Sequence, residues 1–503
     1  MSATTSPSAA AAAPGAIRGR LRRLWRSLRR VPTAAWVCAA VAVLNAVCWS
    51  VITPPFQVPD EPSHFAYVKQ LAERHSLPSS GRREFTLEEN LILEEMHQIP
   101  YMPPTGTISS LAQHRTLVHN LDVAAAEPRD GSPAAGVATA QPPLYYALES
   151  IPYLIGYHGN LLTRLALMRL LSALFAGLTA LFVYMFVREA LPGSRTAAVS
   201  AGLAIAFAPL LGFMSGSVNP DSLLFAASAA VFWSLARAFR RGLTYRRALL
   251  IGALTAVGLI TKLNFVGLFP GVLAGLALLA WRARGASRAH AGRLFAAGAG
   301  VAISPVVPYA IINLASGSPT FGLVSSASSL VRGSPLSALG YTWKLFLPRL
   351  PGMKPYVPGI STQKIWFDGF VGQYGWLETT FPGWVYAIAT VIGVALLVGL
   401  VWSLVARRRA VRARLGEIGV YGLMALGLVL LIGAASYYSV GGGESYTQAR
   451  YLLPLLALFA AGIALAVRAG GRRWEPVLGT AVVLALFADN LFSQLLVVAR
   501  FYS

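Results

Sequence analysis

The segment PPFQVPDEPSHFAYVKQLAERHSLP at residues 54–78 carries the side chains best suited to acid–base chemistry. Asp60 and Glu61 are adjacent, and His64 follows about one helical turn later. The N-terminus of a helix stabilises an ionised carboxylate, which is the form that a general base needs. The same spacing is also explained by Asp60 capping a helix and Glu61 complementing the helix dipole. Both interpretations are open at this point.

Further charged residues stand at the ends of apolar stretches, where they need a partner or a water-filled cavity. Asp221 begins one stretch and is either a helix cap or a second acid beside Asp60. Lys262 lies between two short stretches, and its amine either extends to the membrane interface or contacts a phosphate. Arg450 precedes another stretch and either anchors in lipid headgroups or binds a phosphate with its planar guanidinium.

Polar and aromatic side chains that suit the binding of a sugar accompany these charges. They are Gln141 at the start of QPPLYYAL, Tyr446 and Gln448 before Arg450, and Trp366, Asp368 and Trp376 in WFDGFVGQYGWLETTFP. Aromatic rings at this density either stack on sugar rings or form a belt at the membrane interface.

The composition of the chain indicates what must position these residues. Of 503 residues, 55% are hydrophobic and 12% are charged, against roughly 25% charged in soluble domains. The chain is therefore predicted to be an all-α, polytopic transmembrane helix bundle with about eleven transmembrane helices. The apolar stretches lie near residues 34–52, 165–187, 196–214, 222–237, 248–261, 265–281, 294–313, 383–405, 418–438, 451–467 and 476–499.

The distribution of charge predicts the orientation of the bundle. Residues 1–30 are expected to be a disordered, Arg-rich cytoplasmic tail that precedes a single transmembrane domain at residues 31–503. The other segments assigned to the cytoplasm carry most of the remaining basic residues. The outer segments, which include the long loops at residues 53–164 and 314–382, are neutral in total. The net charge of +22 then faces anionic lipid, and nucleic acid is not an expected partner.

Several motifs resemble known membrane proteins. An acidic pair directly after the first transmembrane helix resembles the GT-C superfamily of polyprenyl-phosphate-sugar glycosyltransferases. The order of six further motifs is similar to a branch of bacterial polytopic predicted membrane proteins that contains a domain of unknown function. These motifs are PDEPSHFAYV (59–68), QPPLYYAL (141–148), NPDSLLF (219–225), TKLNF (261–265), WFDGFVGQYGWLETTFP (366–382) and QARYLLP (448–454).

The resemblance implies a GT-C-like fold and an inverting glycosyltransferase in a bacterial plasma membrane, with a cytoplasmic N-terminus. The donor would be a polyprenyl-phosphate sugar, and the acceptor a cell-envelope glycan or a protein. Asp60 would accept the proton of the acceptor hydroxyl, and Glu61 or Asp221 would orient it. Lys262 and Arg450 would hold the leaving phosphate, while His64 would contact substrate. No cofactor is implied, and use of a divalent metal remains open.

Two other classes of protein remain as alternatives. A lipid-linked sugar transporter or flippase would place functional charges near the middle of the membrane, on symmetric broken helices. A polysaccharide polymerase or ligase with a diphosphate-linked donor would favour more basic residues in the outer loops. The histidines show no metal-ligand spacing, and no glycine-rich nucleotide loop occurs in the sequence. The sugar, the acceptor and the linkage cannot be deduced from the sequence.

Overall fold

The structure, a computed structural model, describes most of the chain. The described residues are 31–78, 85–97, 111–127, 129, 131, 136–285, 287–315, 334–348, 350–353, 361–439 and 447–502. The tail at residues 1–30 and the candidate Tyr446 therefore lie outside the described residues.

Helices make up nearly all of the regular structure. In chain order they are α1 Thr33–Ile52, α2 Glu61–Arg74, α3 Leu87–Glu95, α4 Leu111–Ala125, α5 Leu144–Ile155, α6 Leu161–Ala190, α7 Arg195–Ala206, α8 Pro209–Ser215, α9 Asp221–Arg241, α10 Tyr245–Leu259, α11 Phe269–Arg282, α12 Arg288–Ile303, α13 Val306–Ala315, α14 Pro335–Phe346, α15 Gly369–Gly372, α16 Gly383–Ala406, α17 Arg408–Ala413, α18 Leu415–Ser439, α19 Leu456–Val467 and α20 Gly471–Tyr502.

Shorter elements join these helices. They are 3₁₀ turns at Gly136–Ala138, Leu263–Gly267, Ala283–Gly285, Ala449–Leu455 and Arg468–Gly470, a π-turn at Lys364–Asp368, and the strands β1 Gln373–Tyr374 and β2 Thr379–Thr380. The strands pair antiparallel, with Gln373 opposite Thr380 and Tyr374 opposite Thr379. The Tyr374 hydroxyl donates to Ser493 Oγ at 2.7 Å, which attaches this hairpin to α20.

Every apolar stretch predicted to span the membrane coincides with a helix or with consecutive helical segments. Within the described residues, seven candidate spans are long and apolar enough to cross a membrane, and the pair α7 and α8, bent by 52°, would make an eighth. This count differs from the predicted eleven partly because α10 and α11 have only 15 and 14 residues. A helix needs about 20 residues to cross the hydrocarbon core.

The bundle is built around α6, which packs against α1 and α9. Small residues line the buried face of α1 at helical spacing, and Ala35, Ala39, Ala42 and Ala46 are all buried there. Small side chains allow two helix backbones to approach closely, which is how helices associate in lipid. At Gly252, a Cβ atom would lie 2.3 Å from the carbonyl oxygen of Gly298, so α10 and α12 require glycine at this crossing.

The described part of the first long loop packs against the bundle. Glu88 and Glu89 of α3 are buried, although they belong to a locally acidic stretch of the sequence. Glu88 forms ion pairs with Arg164 of α6 and Lys69 of α2. A local run of acids does not by itself reveal the basic residues that pack against it.

Candidate active site

The turn between α1 and α2 presents Asp60 toward the bundle. Asp60 has a left-handed backbone (φ 70°), a conformation that Asp tolerates better than most residues. Its carbonyl accepts the first helical hydrogen bond from His64 N at 3.1 Å, but its side chain caps no backbone group. Instead, Asp60 Oδ2 accepts from Arg450 Nη2 at 2.5 Å. The interpretation of the Asp60 carboxylate as a helix cap is therefore wrong.

Four of the predicted site residues come together in what we call the charged cluster, defined as Asp60, Asp221, Lys262 and Arg450. Lys262 Nζ donates to Asp221 Oδ1 at 2.8 Å. Arg450 Nη1 lies 3.9 Å from Asp221 Oδ2, so Arg450 stands between the two acids. These residues belong to four separate parts of the chain: the turn before α2, the first residue of α9, the turn after α10 and the 3₁₀ turn before α19. Two acids and two bases make the cluster formally neutral.

The charged cluster is buried, and its hydrogen-bonding capacity is only partly used. Among the described residues, Asp221 Oδ2 and Arg450 Nε are buried and have no hydrogen-bond partner. Asp221 and Arg450 are nearly inaccessible, whereas the Asp60 side chain is 24% exposed. Since a buried polar atom without a partner is costly, the cluster is suited to bind a polar ligand that reaches it past Asp60.

The electrostatic setting keeps Asp60 ionised. Burial opposes ionisation, but the surrounding basic groups, chiefly the Arg450 guanidinium, together hold the pKa of Asp60 below its ordinary value. Burial lowers the pKa of Lys262, although the adjacent Asp221 opposes this shift. Burial, with Lys262 nearby, lowers the pKa of His64 to about 3, so this imidazole is neutral at neutral pH.

Aromatic and amide side chains form one wall of the site. His64 Nδ1 is hydrogen-bonded to the Tyr146 hydroxyl at 2.9 Å, and the Tyr146 ring stacks on Tyr67 with 3.7 Å between centroids. Gln141 Oε1 accepts from Leu263 N at 3.3 Å. Gln141 therefore connects the segment before α5 to the turn that carries Lys262.

Glu61 points away from the charged cluster. Arg169 Nε donates to its Oε1 at 2.8 Å, and Arg169 Nη2 donates to its Oε2 at 2.6 Å. The backbone amides of Val218 and Phe56 donate to the same two oxygens at 3.0 and 2.9 Å. Because both carboxylate oxygens are engaged in this way, the structure does not place Glu61 where it would orient Asp60.

The second outer loop contacts the site beside the Asp60 turn and at a small cavity next to Arg450. Trp376 Nε1 donates to Phe56 O at 3.4 Å, beside the Asp60 turn. Gln448 and Arg450 line a cavity of about 20 Å³, enough for one water molecule. Trp366 instead donates to Leu345 O at 2.6 Å.

Trp366 and Asp368, two of the residues predicted to contact substrate, lie outside the charged cluster. Trp366 stacks on Phe346 of α14, with 4.5 Å between ring centroids. Asp368 is the last residue of the π-turn that precedes α15, and it is half-buried.

Sequence reasoning missed two residues that support the site. Arg169 interrupts the apolar helix α6, and an arginine within a span is itself a signal of function or pairing. Asn219 Nδ2 donates to Pro59 O at 3.3 Å, and its Oδ1 accepts from Asp221 N at 3.0 Å. Asn219 thereby joins the Asp60 turn to the start of α9, and its position in the motif NPDSLLF was the available signal.

A metal centre is not evident in the described part of the chain. No group of three or more His, Cys, Asp or Glu side chains there is arranged to hold a metal ion. The groups that the described site offers to a ligand are the charged cluster and its aromatic wall.

The spans and their buried charges define a polytopic helical membrane protein. Residues 43–459 match the family described as predicted membrane protein (DUF2142), and the chain belongs to this family. This confirms the predicted membership of a branch of predicted membrane proteins with a domain of unknown function. The matched range includes all four residues of the charged cluster.

Solved structures of the oligosaccharyltransferase from Archaeoglobus fulgidus are similar to this chain. The apo form is 14% identical with a TM-score of 0.45, and the match covers 93% of this chain and 56% of that one. The form of this enzyme, AglB, in complex with an inhibitory peptide and a dolichol-phosphate is 13% identical with a TM-score of 0.45, covering 93% and 55%. This chain thus spans little more than half the length of those structures. No curated protein matches it.

Proposed function

We propose that this protein is an integral membrane glycosyltransferase of GT-C type, which transfers a sugar from a polyprenyl-phosphate donor to a cell-envelope glycan or protein acceptor. The observation that carries the proposal is the charged cluster. It combines one partly exposed, ionised carboxylate with two buried cations, which is what a reaction with a hydroxyl nucleophile and a phosphate leaving group requires.

The reaction would be a single displacement. The acceptor oxygen forms a bond to the anomeric carbon while the bond from that carbon to the phosphate oxygen breaks, which inverts the configuration. The proton of the acceptor hydroxyl goes to Asp60, and the electron pair of the broken bond stays on the phosphate. Arg450 and Lys262 would stabilise the developing negative charge, and Asp221 would orient the Lys262 amine through their 2.8 Å hydrogen bond.

The ion pair between Asp60 and Arg450 limits the basicity of Asp60 while no donor is bound. A phosphate that takes up Arg450 would weaken this pair, since one guanidinium would then serve two anions. Asp60 would thereby gain basicity when the donor arrives. Arg450 Nε, which lacks a hydrogen-bond partner among the described residues, is an additional donor for the phosphate.

The position of the charged cluster favours an enzyme over a lipid-linked sugar transporter. Asp221 is the first residue of α9, Lys262 follows α10, and Arg450 lies in the turn before α19. A transporter that binds its substrate at the bilayer midplane would instead carry such charges within its broken helices. A polymerase or ligase with a diphosphate donor would have to neutralise an additional phosphate charge, whereas this cluster has no net charge.

The test uses purified full-length protein with a short-chain polyprenyl-phosphate sugar. We expect saturable binding, and release of polyprenyl phosphate when an envelope acceptor fraction is added. A matched polyprenyl-diphosphate sugar is the control for donor class. Preference for the diphosphate would favour the polymerase or ligase, and binding of neither donor would contradict the proposed function.

We further propose that residues 31–503 act as one domain in a bacterial plasma membrane, with the charged cluster facing outward and the N-terminus in the cytoplasm. Cysteines introduced at Ser80 and Thr244, in a background without Cys38 and Cys48, report this orientation through an impermeant maleimide. In intact spheroplasts we expect labelling at position 80 and none at position 244. The opposite pattern would reverse the orientation.

A further inference from the structure

A second cavity lies beside residues 53–55, which lead from α1 into the Asp60 turn. We call it the outer cavity, because the charge distribution assigns this end of the bundle to the outer face. Its volume is about 640 Å³, within the usual range for ligand sites. The end of α1, the helices α3 and α4, the first turns of α6 and the end of α20 form its walls. The proposed glycosyl transfer assigns no ligand to this cavity.

The outer cavity opens toward the bilayer. Val51 of α1 and Ala166 of α6 line the cavity, and both are exposed, Val51 to 73%. Both helices are candidate membrane spans, so the exposed faces of these helices contact lipid. The other walls are largely apolar, with Leu117, Leu162 and Leu165 among the lining residues. An apolar cavity that opens between two spans suits the hydrocarbon chains of a membrane lipid.

Arg169, the arginine that lines the outer cavity, has no donor left for a ligand. An arginine side chain has five N–H groups, and each of those of Arg169 has an acceptor in the protein. Nε and Nη2 donate to the two oxygens of Glu61, and Nη2 also donates to Pro54 O. Nη1 donates to Ser50 O and Thr53 O, and all five distances lie between 2.6 and 3.0 Å. A lipid phosphate would therefore gain no hydrogen bond from this guanidinium.

The polar part of the outer cavity comes from Glu95 of α3 and His114 of α4. Neither helix belongs to a candidate span, so these side chains lie where a lipid headgroup would emerge from the membrane. Among the described residues, no group makes a hydrogen bond or an ion pair with the Glu95 carboxylate. A carboxylate accepts hydrogen bonds from hydroxyl groups and repels a phosphate. This end of the cavity therefore favours a headgroup that carries hydroxyls and no negative charge.

We propose that the outer cavity binds a neutral glycolipid, whose hydrocarbon chains enter between α1 and α6. The sugar hydroxyls would donate to Glu95 and contact His114, at the level of α3 and α4. The bound lipid would fill the space between these loop helices and the bundle. This binding does not depend on glycosyl transfer at the charged cluster.

The experiment counts lipids bound to purified full-length protein by native mass spectrometry. The protein is kept in a polyoxyethylene detergent, because an alkyl glycoside detergent would compete for the cavity. It is titrated with diglucosyl diacylglycerol, with phosphatidylglycerol and with diacylglycerol, all with the same acyl chains. We expect one molecule of the glycolipid to bind at least tenfold more tightly than either of the others. Equal binding of phosphatidylglycerol, or of diacylglycerol without its sugars, would overturn the proposal.

Ala166→Trp tests whether the lipid occupies the outer cavity. The larger side chain would extend from the exposed face of α6 into the opening, so glycolipid binding should weaken at least tenfold while the melting temperature stays near that of the parent. The matched control is Ala395→Trp, at an exposed position of the span α16 that does not line the cavity. This control should bind within about twofold of the parent. Glycolipid binding by Ala166→Trp that equals that of the parent would contradict the assigned site.

Glu95→Gln tests the recognition of the headgroup and leaves the apolar walls intact. The amide is a weaker acceptor than the carboxylate, so glycolipid binding should fall about fivefold. Glu94→Gln removes the same charge from the adjacent exposed residue, which does not line the cavity, and it should bind as the parent does. Equal losses in the two variants would show a general effect of charge and would overturn the assignment to a sugar headgroup. No sugar donor is present in these measurements, so their failure would leave the proposed glycosyl transfer untouched.

Discussion

Asp60 and Glu61 are neighbours in the sequence, but the structure gives them opposite surroundings. Glu61 is fully buried, and both its oxygens accept hydrogen bonds from Arg169 and from backbone amides. Arg169 also donates to the carbonyl oxygens of Ser50, Thr53 and Pro54 at 2.8 to 3.0 Å. We call Glu61 and Arg169 the anchoring pair, because they attach the Asp60 turn to α6.

The charged cluster around Asp60 is equally ionic but incompletely bonded. Asp221 and Arg450 each keep a buried polar atom without a hydrogen-bond partner within the described residues, and Asp60 is partly exposed. Burial and charge alone therefore do not distinguish the two groups of residues. We select the charged cluster as the candidate site because its unused hydrogen-bonding capacity, next to an accessible carboxylate, is available to a ligand.

The largest expected effect is on catalysis at Asp60. Asp60→Asn keeps the size and tolerates the left-handed backbone, but it removes the basic carboxylate. We expect turnover to fall by roughly 10²–10⁴. The protein should still fold, because Asp221 remains 3.9 Å from Arg450 as a counter-ion. The measurement is release of polyprenyl phosphate by purified protein. Near-parental turnover would show that Asp60 is not the base. The proposed functional difference between the charged cluster and the anchoring pair would then be lost.

Breaking the anchoring pair should lower the free energy of unfolding of the protein. Glu61→Gln leaves the Arg169 charge buried without its counter-ion, and breaking a buried pair in this way costs about 3–5 kcal/mol. The free energy of unfolding in detergent is the measurement, and Glu127→Gln, an exposed carboxylate of the same loop, is the matched control. If Glu61→Gln were as stable as the parent, Glu61 would not be an anchor, and an orienting role beside Asp60 would be open again.

Donor binding should depend on the shape of the cationic group at position 450. Arg450→Lys keeps the charge but loses the planar fork that makes two parallel hydrogen bonds to phosphate. We expect donor affinity to fall at least about tenfold, or about 1.4 kcal/mol, and further in Arg450→Ala. Arg115→Lys, at an exposed position on α4, should bind as the parent does. Unchanged binding by Arg450→Lys would move phosphate recognition to Lys262.

The smallest effect concerns pH and His64. Its pKa of about 3 in the folded protein lies below the unfolded value of about 6.5. Between these values the unfolded chain binds a proton that the folded protein does not, so this contribution to stability falls as the pH falls. One pH unit below 6.5, we expect a loss of about 1 kcal/mol in the parent that His64→Asn does not show. The measurement is the free energy of unfolding of the parent and of His64→Asn, at pH 6.5 and one pH unit lower. An equal change in both proteins would show that the site admits a charged imidazole.

Much of this protein was determined by the sequence alone. The class of membrane protein, the position of each apolar stretch and the candidate residues at their ends follow from composition and order, because the free energy of placing a residue in lipid is largely local. Asp60, Asp221, Lys262 and Arg450 are recognisable in this way from the sequence, without their contacts.

The tertiary structure decided which charges meet. Asp60 contacts Arg450, 390 positions away, whereas Glu61 contacts Arg169, 108 positions away. Two adjacent carboxylates of similar acidity cannot be assigned to different partners from their own sequence, since the choice depends on how α6 and the turn before α19 are rotated and packed. Buried ion pairs require exact geometry and desolvated partners, and such geometry exists only once the helices are assembled.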